Sequence, residues 1–178
     1  MTDRKVGPKA LALMHHFEDC ELSAYADPGT GGAPYTIGWG MTYYPDGRKV
    51  KLGDRITQAQ ADADFATILD RDFARIVDAA IGKAPTTPAQ FGAMVALAYN
   101  IGVGPRIWLP GMKKGFRQSQ VLKMHLAGRY ADAAAAFSGW TTSGGKVMGG
   151  LVRRRAAEAA LYRSDMAELT RLTNGAVR

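Results

Sequence analysis

The sequence predicts an α+β protein in which a small antiparallel β-sheet region precedes a larger helical region. Three observations carry this prediction. The 178 residues are 47% apolar and 22% charged, which is the balance of an ordinary globular domain. Glycine, proline and β-prone residues are concentrated between Ser23 and Asp54. After Asp54, apolar residues recur at helical spacing.

These composition changes define two lobes within one predicted domain of residues 1–178. The β lobe covers about 19–55, and the helical lobe covers about 56–178 together with an N-terminal helix at 6–18. No linker, repeat or low-complexity segment separates the lobes. The apolar residues of the N-terminal helix lie at helical spacing: Leu11, Met14 and Phe17.

Within the β lobe, two short segments are rich in β-prone residues, Tyr35–Ile37 and Lys49–Leu52. Residues 44–47, with the sequence Tyr-Pro-Asp-Gly, are a strong turn signal between them. The pattern therefore predicts a β-hairpin or a small three-stranded sheet.

Capping boxes predict where the two long helices begin. Thr57 is followed three residues later by Gln60, and Thr87 by Gln90, with proline at the first helical position of the second helix. This second helix is apolar on nearly every face, so we expect it to be the central buried helix. The remaining predicted elements are two or three short helices within 119–137, a loop over 144–150, a helix over 151–162 and a short helix from Asp165.

The charge balance favours a polyanionic partner. Lys and Arg number 23 against 16 Asp and Glu, which gives a net charge of +7 and a pI near 9.7. Nucleic acid, an anionic membrane surface and an anionic cell-wall polymer all fit this excess. The basic residues are scattered, however, and no zinc-finger, RNP or KH pattern occurs, so we do not expect nucleic acid.

Other broad classes are excluded by simple patterns. No apolar run approaches the roughly 18 residues that a membrane-spanning helix needs. The charged N-terminus is not followed by the apolar stretch of a signal peptide, so we expect neither a signal nor an anchor. A single cysteine, Cys20, excludes an intramolecular disulfide.

Two carboxylic acids, Glu18 and Asp27, are candidates for acid–base chemistry. Glu18 ends an apolar helix, where the negative end of the helix dipole and partial burial favour the protonated form that a general acid needs. Asp27 lies in a polar, glycine-rich loop in which it stays ionised. Carboxyl groups in such different environments are the pair that glycosidic bond cleavage requires. The alternative is that neither residue is catalytic, so that Glu18 is a surface residue at a helix end and Asp27 is a turn residue before Pro28.

The residues around this pair resemble the phage-type lysozymes, the endolysins of glycoside hydrolase family 24. Residues 17–40 carry F-E-x-x-x-L-x-A-Y-x-D, a glycine-containing loop and T-I-G-W-G. Residues 96–104 are similar to the family's N-x-G-x-G segment, and 150–158 to its late G-L-V-x-R-R-x-x-E helix. The three matches occur in the family's order and cover nearly the whole domain.

The resemblance implies a lysozyme-like fold with an active-site cleft between the two lobes. It also implies a muramidase that hydrolyses the β-1,4 bond between N-acetylmuramic acid and N-acetylglucosamine in peptidoglycan, with inversion. Glu18 is then the general acid, and Asp27 and Thr36 position and activate the attacking water. No metal and no other cofactor is implied. Thr36 follows Asp27 by nine positions, a longer spacing than is common in the family.

Three further residues are candidates for substrate binding or orientation. Arg154 lies on the late helix, from which the resemblance implies that it, or Arg153 or Arg155 beside it, reaches Glu18 and holds its orientation. Asn100 and Tyr25 belong to the matching segments, although a helix-end capping role is the simpler interpretation of Asn100. We interpret Trp108 and Trp140 as core residues in preference to sugar-stacking ones, and the pair His15-His16 as having no role in metal binding.

Two other functions remain open. In a lytic transglycosylase, Glu18 alone acts as acid and base, and the 6-hydroxyl of muramic acid replaces water. In a non-catalytic basic module, the chain binds envelope polyanions or nucleic acid. For the muramidase we expect peptidoglycan glycan strands as partner, anionic envelope polymers as further contacts, and a monomer. We expect it to accumulate in the host cytoplasm until a holin-type pore releases it to the cell wall.

Overall fold

The computed structural model describes residues 4–26 and 31–177. They fall into two compact units, a small unit of residues 15–72 and a helical unit formed by the residues up to 14 and from 73 onward. Helices dominate, and short antiparallel strand pairs accompany them, which confirms the predicted α+β class. Within the described ranges, no helix has both the length and the apolar character needed to cross a membrane.

The described residues form the following helices and strands. The helices are α1 (Pro8–Phe17), α2 (Gln58–Ile68), α3 (Arg75–Ile81), α4 (Pro88–Ile101), α5 (Gln120–Leu126), α6 (Tyr130–Ala135), α7 (Gly149–Tyr162) and α8 (Met166–Leu172). The strands are β1 (Glu21–Ala26), β2 (Tyr35–Gly38), β3 (Thr142–Ser143) and β4 (Lys146–Val147). A π-helical segment, Leu69–Ala74, joins α2 to α3, and 3₁₀ turns lie at Phe116–Gln118 and Ala136–Gly139.

In the small unit, β1 and β2 form a two-stranded antiparallel sheet. The predicted strand Lys49–Leu52 is wrong, because this segment makes only an isolated bridge between Tyr43 and Lys49. The Val50 amide donates to a backbone carbonyl over 3.1 Å, and the chain then turns at once, with the Asp54 amide donating back to the Lys51 carbonyl. This turn ends the pairing before a strand is established.

Helix α2 begins where its capping residue predicts and packs against β2. The Thr57 hydroxyl accepts a hydrogen bond from the Gln60 amide over 3.2 Å. Gly38 at the end of β2 has a φ of +58°, a left-handed backbone conformation that favours glycine. The buried apolar side chains of this unit are Ile37, Met41, Tyr44, Val50, Ala61, Phe65, Ile68 and Leu69.

In the helical unit, α4 is the central buried helix, as predicted. Its capping box is complete, and the eight consecutive residues 91–98 are all buried. Helix α7 packs along α4. Helix α1 approaches α4 so closely that a Cβ at Gly92 would lie 2.6 Å from the Cβ of Ala10. Helix α1 buries Ala10, Leu13 and Met14, whereas its apolar spacing predicts Leu11, Met14 and Phe17. The buried face of α1 is therefore rotated from the predicted one.

A chain of hydrogen bonds crosses the core of the helical unit. The Tyr162 hydroxyl lies 2.6 Å from Nδ1 of His125, and Nε2 of His125 lies 2.8 Å from the Thr86 hydroxyl. Thr86 donates its only hydrogen to the Ala84 carbonyl, so His125 donates from Nε2 and accepts at Nδ1. Burial, and to a smaller extent the charge of Arg4, lowers the pKa of His125. The ring is therefore neutral.

The predicted loop over 144–150 is shorter in the structure. Strands β3 and β4 form a minimal hairpin in which Ser143 pairs with Lys146, and Gly144 and Gly145 take the positive φ values that its two-residue turn requires. Helix α7 then begins at Gly149, two residues earlier than predicted.

Candidate active site

Glu18 follows directly after the last residue of α1. It is half-buried, and β1 begins only three residues later, so the carboxyl group lies at the junction of the helix and the sheet. The carbonyl groups of a helix end point towards this position. The structure therefore gives Glu18 the location that the sequence predicts.

The sheet brings two other predicted residues together. Tyr25 on β1 lies directly opposite Thr36 on β2, and their hydroxyl groups interact. Burial raises the pKa of Tyr25, the carboxylates of Glu21, Glu18 and Asp19 raise it further, and the hydrogen bond with Thr36 opposes them. The charge of Glu18 thus acts on Tyr25, the sheet partner of Thr36. This arrangement combines a carboxyl group with two hydroxyl groups, which is suited to moving a proton and orienting a water molecule.

An aromatic stack that the sequence did not predict ties this junction together. The His15 ring, on the last turn of α1, stacks on Trp39 with 4.0 Å between ring centroids and an interplanar angle of 6°. The Trp39 indole donates to the Asp62 carboxylate of α2 over 2.7 Å. Because Trp39 follows β2 directly, the stack fixes the end of α1, which carries Glu18, relative to the strand that carries Thr36. Two features of the sequence could have indicated this stack: the aromatic residue of the T-I-G-W-G motif, and a histidine three residues before Glu18.

Asp27, the predicted partner of Glu18, lies outside the described residues. It directly follows Ala26, whose partner in the sheet is Tyr35. Its role, and its separation from the Glu18 carboxyl group, stay predictions.

The other two candidates, Asn100 and Arg154, belong to the helical unit. Asn100 is exposed on the last turn of α4, and the helix is capped by Gly102 with a φ of +83°, so the capping interpretation of Asn100 is wrong. Arg154 is buried on α7, and its Nε donates to Glu158 over 3.2 Å. Trp108 is 36% exposed and so is not the core residue that we predicted.

Arg155 is buried and pairs with Glu158, a contact that the motif alone does not predict. Its guanidinium donates to the same Glu158 oxygen over 2.6 Å. Burial raises the pKa of Glu158, and the charges of Arg155 and Arg154 act in the opposite direction. The spacings of three and four residues from the two arginines to Glu158 were the available signal. The effect of this cluster is to hold the Arg154 side chain in one orientation.

The described ranges, residues 4–26 and 31–177, hold few clustered metal-ligand side chains. There, no group of three or more His, Cys, Asp and Glu side chains is arranged to hold a metal ion. Cys20 is half-buried, and burial raises the pKa of its thiol, while a hydrogen bond with Gln58 acts in the opposite direction.

Comparison with known proteins supports the motif analysis. The family model described as phage lysozyme matches residues 15–158, which include all three motif segments. The chain is 38% identical over 163 residues to the endolysin of Bacillus phage PZA, covering 90% of this chain and 55% of that protein. It is 32% identical over 170 residues to the endolysin of Lactococcus phage c2, covering 96% and 65%. The chain therefore spans less than two thirds of the length of these two relatives.

A solved structure shows the same fold. The endolysin from Escherichia coli O157:H7 phage FAHEc1 matches with a TM-score of 0.75 and 34% sequence identity, covering 90% of this chain and 94% of that one. The predicted lysozyme-like fold is confirmed by this likeness.

Proposed function

We propose that this chain, which belongs to the phage lysozyme family, is a peptidoglycan-lysing enzyme that hydrolyses the β-1,4 bond between N-acetylmuramic acid and N-acetylglucosamine. The observation that carries the proposal is the position of Glu18, which is half-buried directly after α1 and three residues before the strand that pairs Tyr25 with Thr36. The endolysin relatives support the choice of peptidoglycan as substrate.

In this reaction Glu18 protonates the glycosidic oxygen as the bond to the anomeric carbon breaks. A water molecule attacks the opposite face of the sugar and gives up its proton there. Asp27 accepts that proton, and the Thr36 hydroxyl orients the water. Direct attack by water inverts the anomeric configuration. Proton NMR of the freshly cleaved sugar tests this step, because retention of configuration would indicate a covalent intermediate.

The three remaining candidates position the general acid or bind the glycan. We propose that Arg154 positions the Glu18 carboxyl group, since Glu158 holds its guanidinium in one orientation. Tyr25 and Asn100 contact the glycan. Tyr25 is suited to this role because it is 37% exposed beside Thr36, and Asn100 because its amide is exposed at the end of α4.

The decisive experiment compares two glutamates three positions apart in the chain, Glu18 and Glu21. Glu18→Gln should lower the release of reducing ends from purified peptidoglycan at least about a hundredfold, the loss expected for a missing general acid. Glu21→Gln is the matched control, because Glu21 is exposed at the start of β1. Circular dichroism should show the wild-type fold in both variants. More than a tenth of the wild-type rate in Glu18→Gln would exclude Glu18 as the general acid.

Product mass separates hydrolysis from transglycosylation. Hydrolysis adds one water to each cleaved bond, whereas attack by the muramic acid 6-hydroxyl yields a 1,6-anhydro sugar that is lighter by one water. We expect the hydrated product in mass spectra of the digest. The anhydro product would assign the transglycosylase reaction and remove the need for Asp27.

The enzyme acts at the cell wall, where anionic polymers attract its net charge of +7. It works as a monomer and passes from the host cytoplasm to the wall through a holin-type pore. Expression with and without a holin tests this route. Lysis that begins at the same time in both cultures would contradict it.

A further inference from the structure

The excess of positive over negative charge in this protein comes from one stretch of the chain, although basic residues occur throughout it. Residues 79–131 contain seven of the 23 Lys and Arg residues and none of the 16 Asp and Glu residues. The rest of the chain is balanced, with 16 residues of each sign. The whole net charge of +7 therefore comes from this one segment, which lies within the helical unit.

Within this stretch, the loop of residues 105–114 exposes large apolar side chains. Ile107 is 78% exposed, Leu109 54% and Met112 46%. The loop has a defined shape, because the Trp108 indole donates to the Met112 carbonyl over 2.9 Å and the Met112 amide donates to the Leu109 carbonyl over 3.1 Å. Single exposed apolar residues are ordinary, but several together on one ordered loop form a surface that fits an apolar partner.

Basic side chains border this apolar loop. The Lys114 ammonium lies 5.1 Å from the centroid of the Trp108 ring. Arg117 donates to the Gly104 carbonyl over 2.7 Å, which ties the loop to the 3₁₀ turn before α5. A cavity of about 480 Å³ separates the loop from α5, and its lining residues are Trp108, Lys114, Arg117, Gln118, Ser119, Leu122, Lys123 and Leu126. We call the loop of residues 105–114 together with this lining the apolar–basic surface.

We propose that the apolar–basic surface docks on a bilayer of anionic phospholipids. Its exposed Ile107 and Leu109 side chains enter the boundary between headgroups and acyl chains, and the adjoining lysines bind the phosphate groups. Trp108 stands between Ile107 and Leu109 in the chain and contacts the Lys114 ammonium, and amphipathic aromatic side chains of this kind are enriched at membrane interfaces.

Charge complementarity and exposed apolar area together favour lipid over the other polyanions. A hydrated glycan or a phosphate polymer binds the lysines but leaves Ile107, Leu109 and Met112 in water. Only a bilayer offers a negative surface and an apolar layer within a few ångströms of each other. The proposal rests on residues outside the proposed catalytic machinery, so it stands or falls independently of the proposed reaction.

Vesicle co-sedimentation tests the proposal on the full chain. We expect binding to vesicles of phosphatidylethanolamine and phosphatidylglycerol, weaker binding as salt rises, and none to pure phosphatidylcholine. Lys113→Ala/Lys114→Ala should weaken partitioning about 30-fold, at about fivefold for each lysine. Ile107→Ser/Leu109→Ser should weaken it at least about tenfold. Both double variants should hydrolyse lipid-free peptidoglycan fragments at the wild-type rate.

The matched control is Lys49→Ala/Lys51→Ala, which removes the same charge from exposed positions in the small unit. It should keep most of the wild-type partitioning. An equal loss in this control would show general charge attraction and overturn the proposal, as would undiminished lipid binding by Ile107→Ser/Leu109→Ser. Variants at Lys113 and Lys114 that retain lipid binding but no longer sediment with lipid-free cell-wall sacculi would assign the surface to glycan instead.

Discussion

Replacing Tyr162 by phenylalanine removes the donor at one end of the buried hydrogen-bond chain in the helical unit. The ring is kept, so packing changes little, but Nδ1 of His125 loses the hydroxyl that lies 2.6 Å away. His125 is only 1% exposed, so water does not reach the vacated acceptor. An unsatisfied buried acceptor costs about 1–3 kcal/mol of unfolding free energy. For a chain of this size, each kcal/mol lowers Tm by about 2–4 °C.

The assay is urea unfolding followed by circular dichroism at pH 7.5, with Tm measured by calorimetry. Tyr130→Phe is the matched control, because the Tyr130 hydroxyl also donates to a single acceptor, the Pro85 carbonyl at 3.0 Å, but does so at an exposed position. Water replaces that bond, so the control should change little. Equal stability of Tyr162→Phe and Tyr130→Phe would refute the reasoning, since burial is the only difference that it invokes.

Three further predictions follow from the same structure. Burial lowers the pKa of His125, so the unfolded chain takes up a proton near pH 6.5 that the folded protein refuses. The free energy of unfolding therefore falls as the pH drops below that value, by up to about 1.4 kcal/mol per pH unit. His125→Asn should flatten this pH dependence, as measured by urea unfolding between pH 7.5 and 5.5. Gly92→Ala should cost about 1–3 kcal/mol in thermal unfolding, because its Cβ meets α1 at 2.6 Å, whereas Gly139→Ala, with open space around it, should not. Asp27→Ala should reduce peptidoglycan hydrolysis more than Thr36→Ala, because a charge near the developing oxocarbenium ion matters more than a hydroxyl group that orients water; the opposite order would exclude Asp27 as the acceptor of the water proton.

Much of the candidate site was predictable because its signals are local. Glu18 was assigned to a helix end from the apolar spacing of the residues before it, and α1 does end at Phe17. Thr36 was assigned from its motif. The pairing of Tyr25 with Thr36 was not predictable, because the register of β1 shifts between Glu21 and Tyr25. Such an irregularity changes which side chains face each other, and simple alternation along the strand does not reveal it.

In the fold, too, locally determined features were predictable and features that depend on distant partners were not. The Thr57 and Thr87 capping residues start α2 and α4 where predicted, because a cap needs only the backbone amides two or three residues away. The predicted strand at Lys49–Leu52 is wrong, because a strand needs continuous pairing with a partner, and here the chain turns after a single bridge between Tyr43 and Lys49.

The sequence by itself thus determined the starts of α2 and α4, the helix end that carries Glu18, the family motifs and the net positive charge of residues 79–131. The tertiary structure alone decided which distant groups meet. His125 and Tyr162 are 37 positions apart in the chain, and Trp39 and Asp62 are 23 apart. It also decided that Trp108 is exposed. The physical reason is that caps and helical periodicity depend on neighbours within a few residues, whereas burial and long-range hydrogen bonds depend on how whole elements pack.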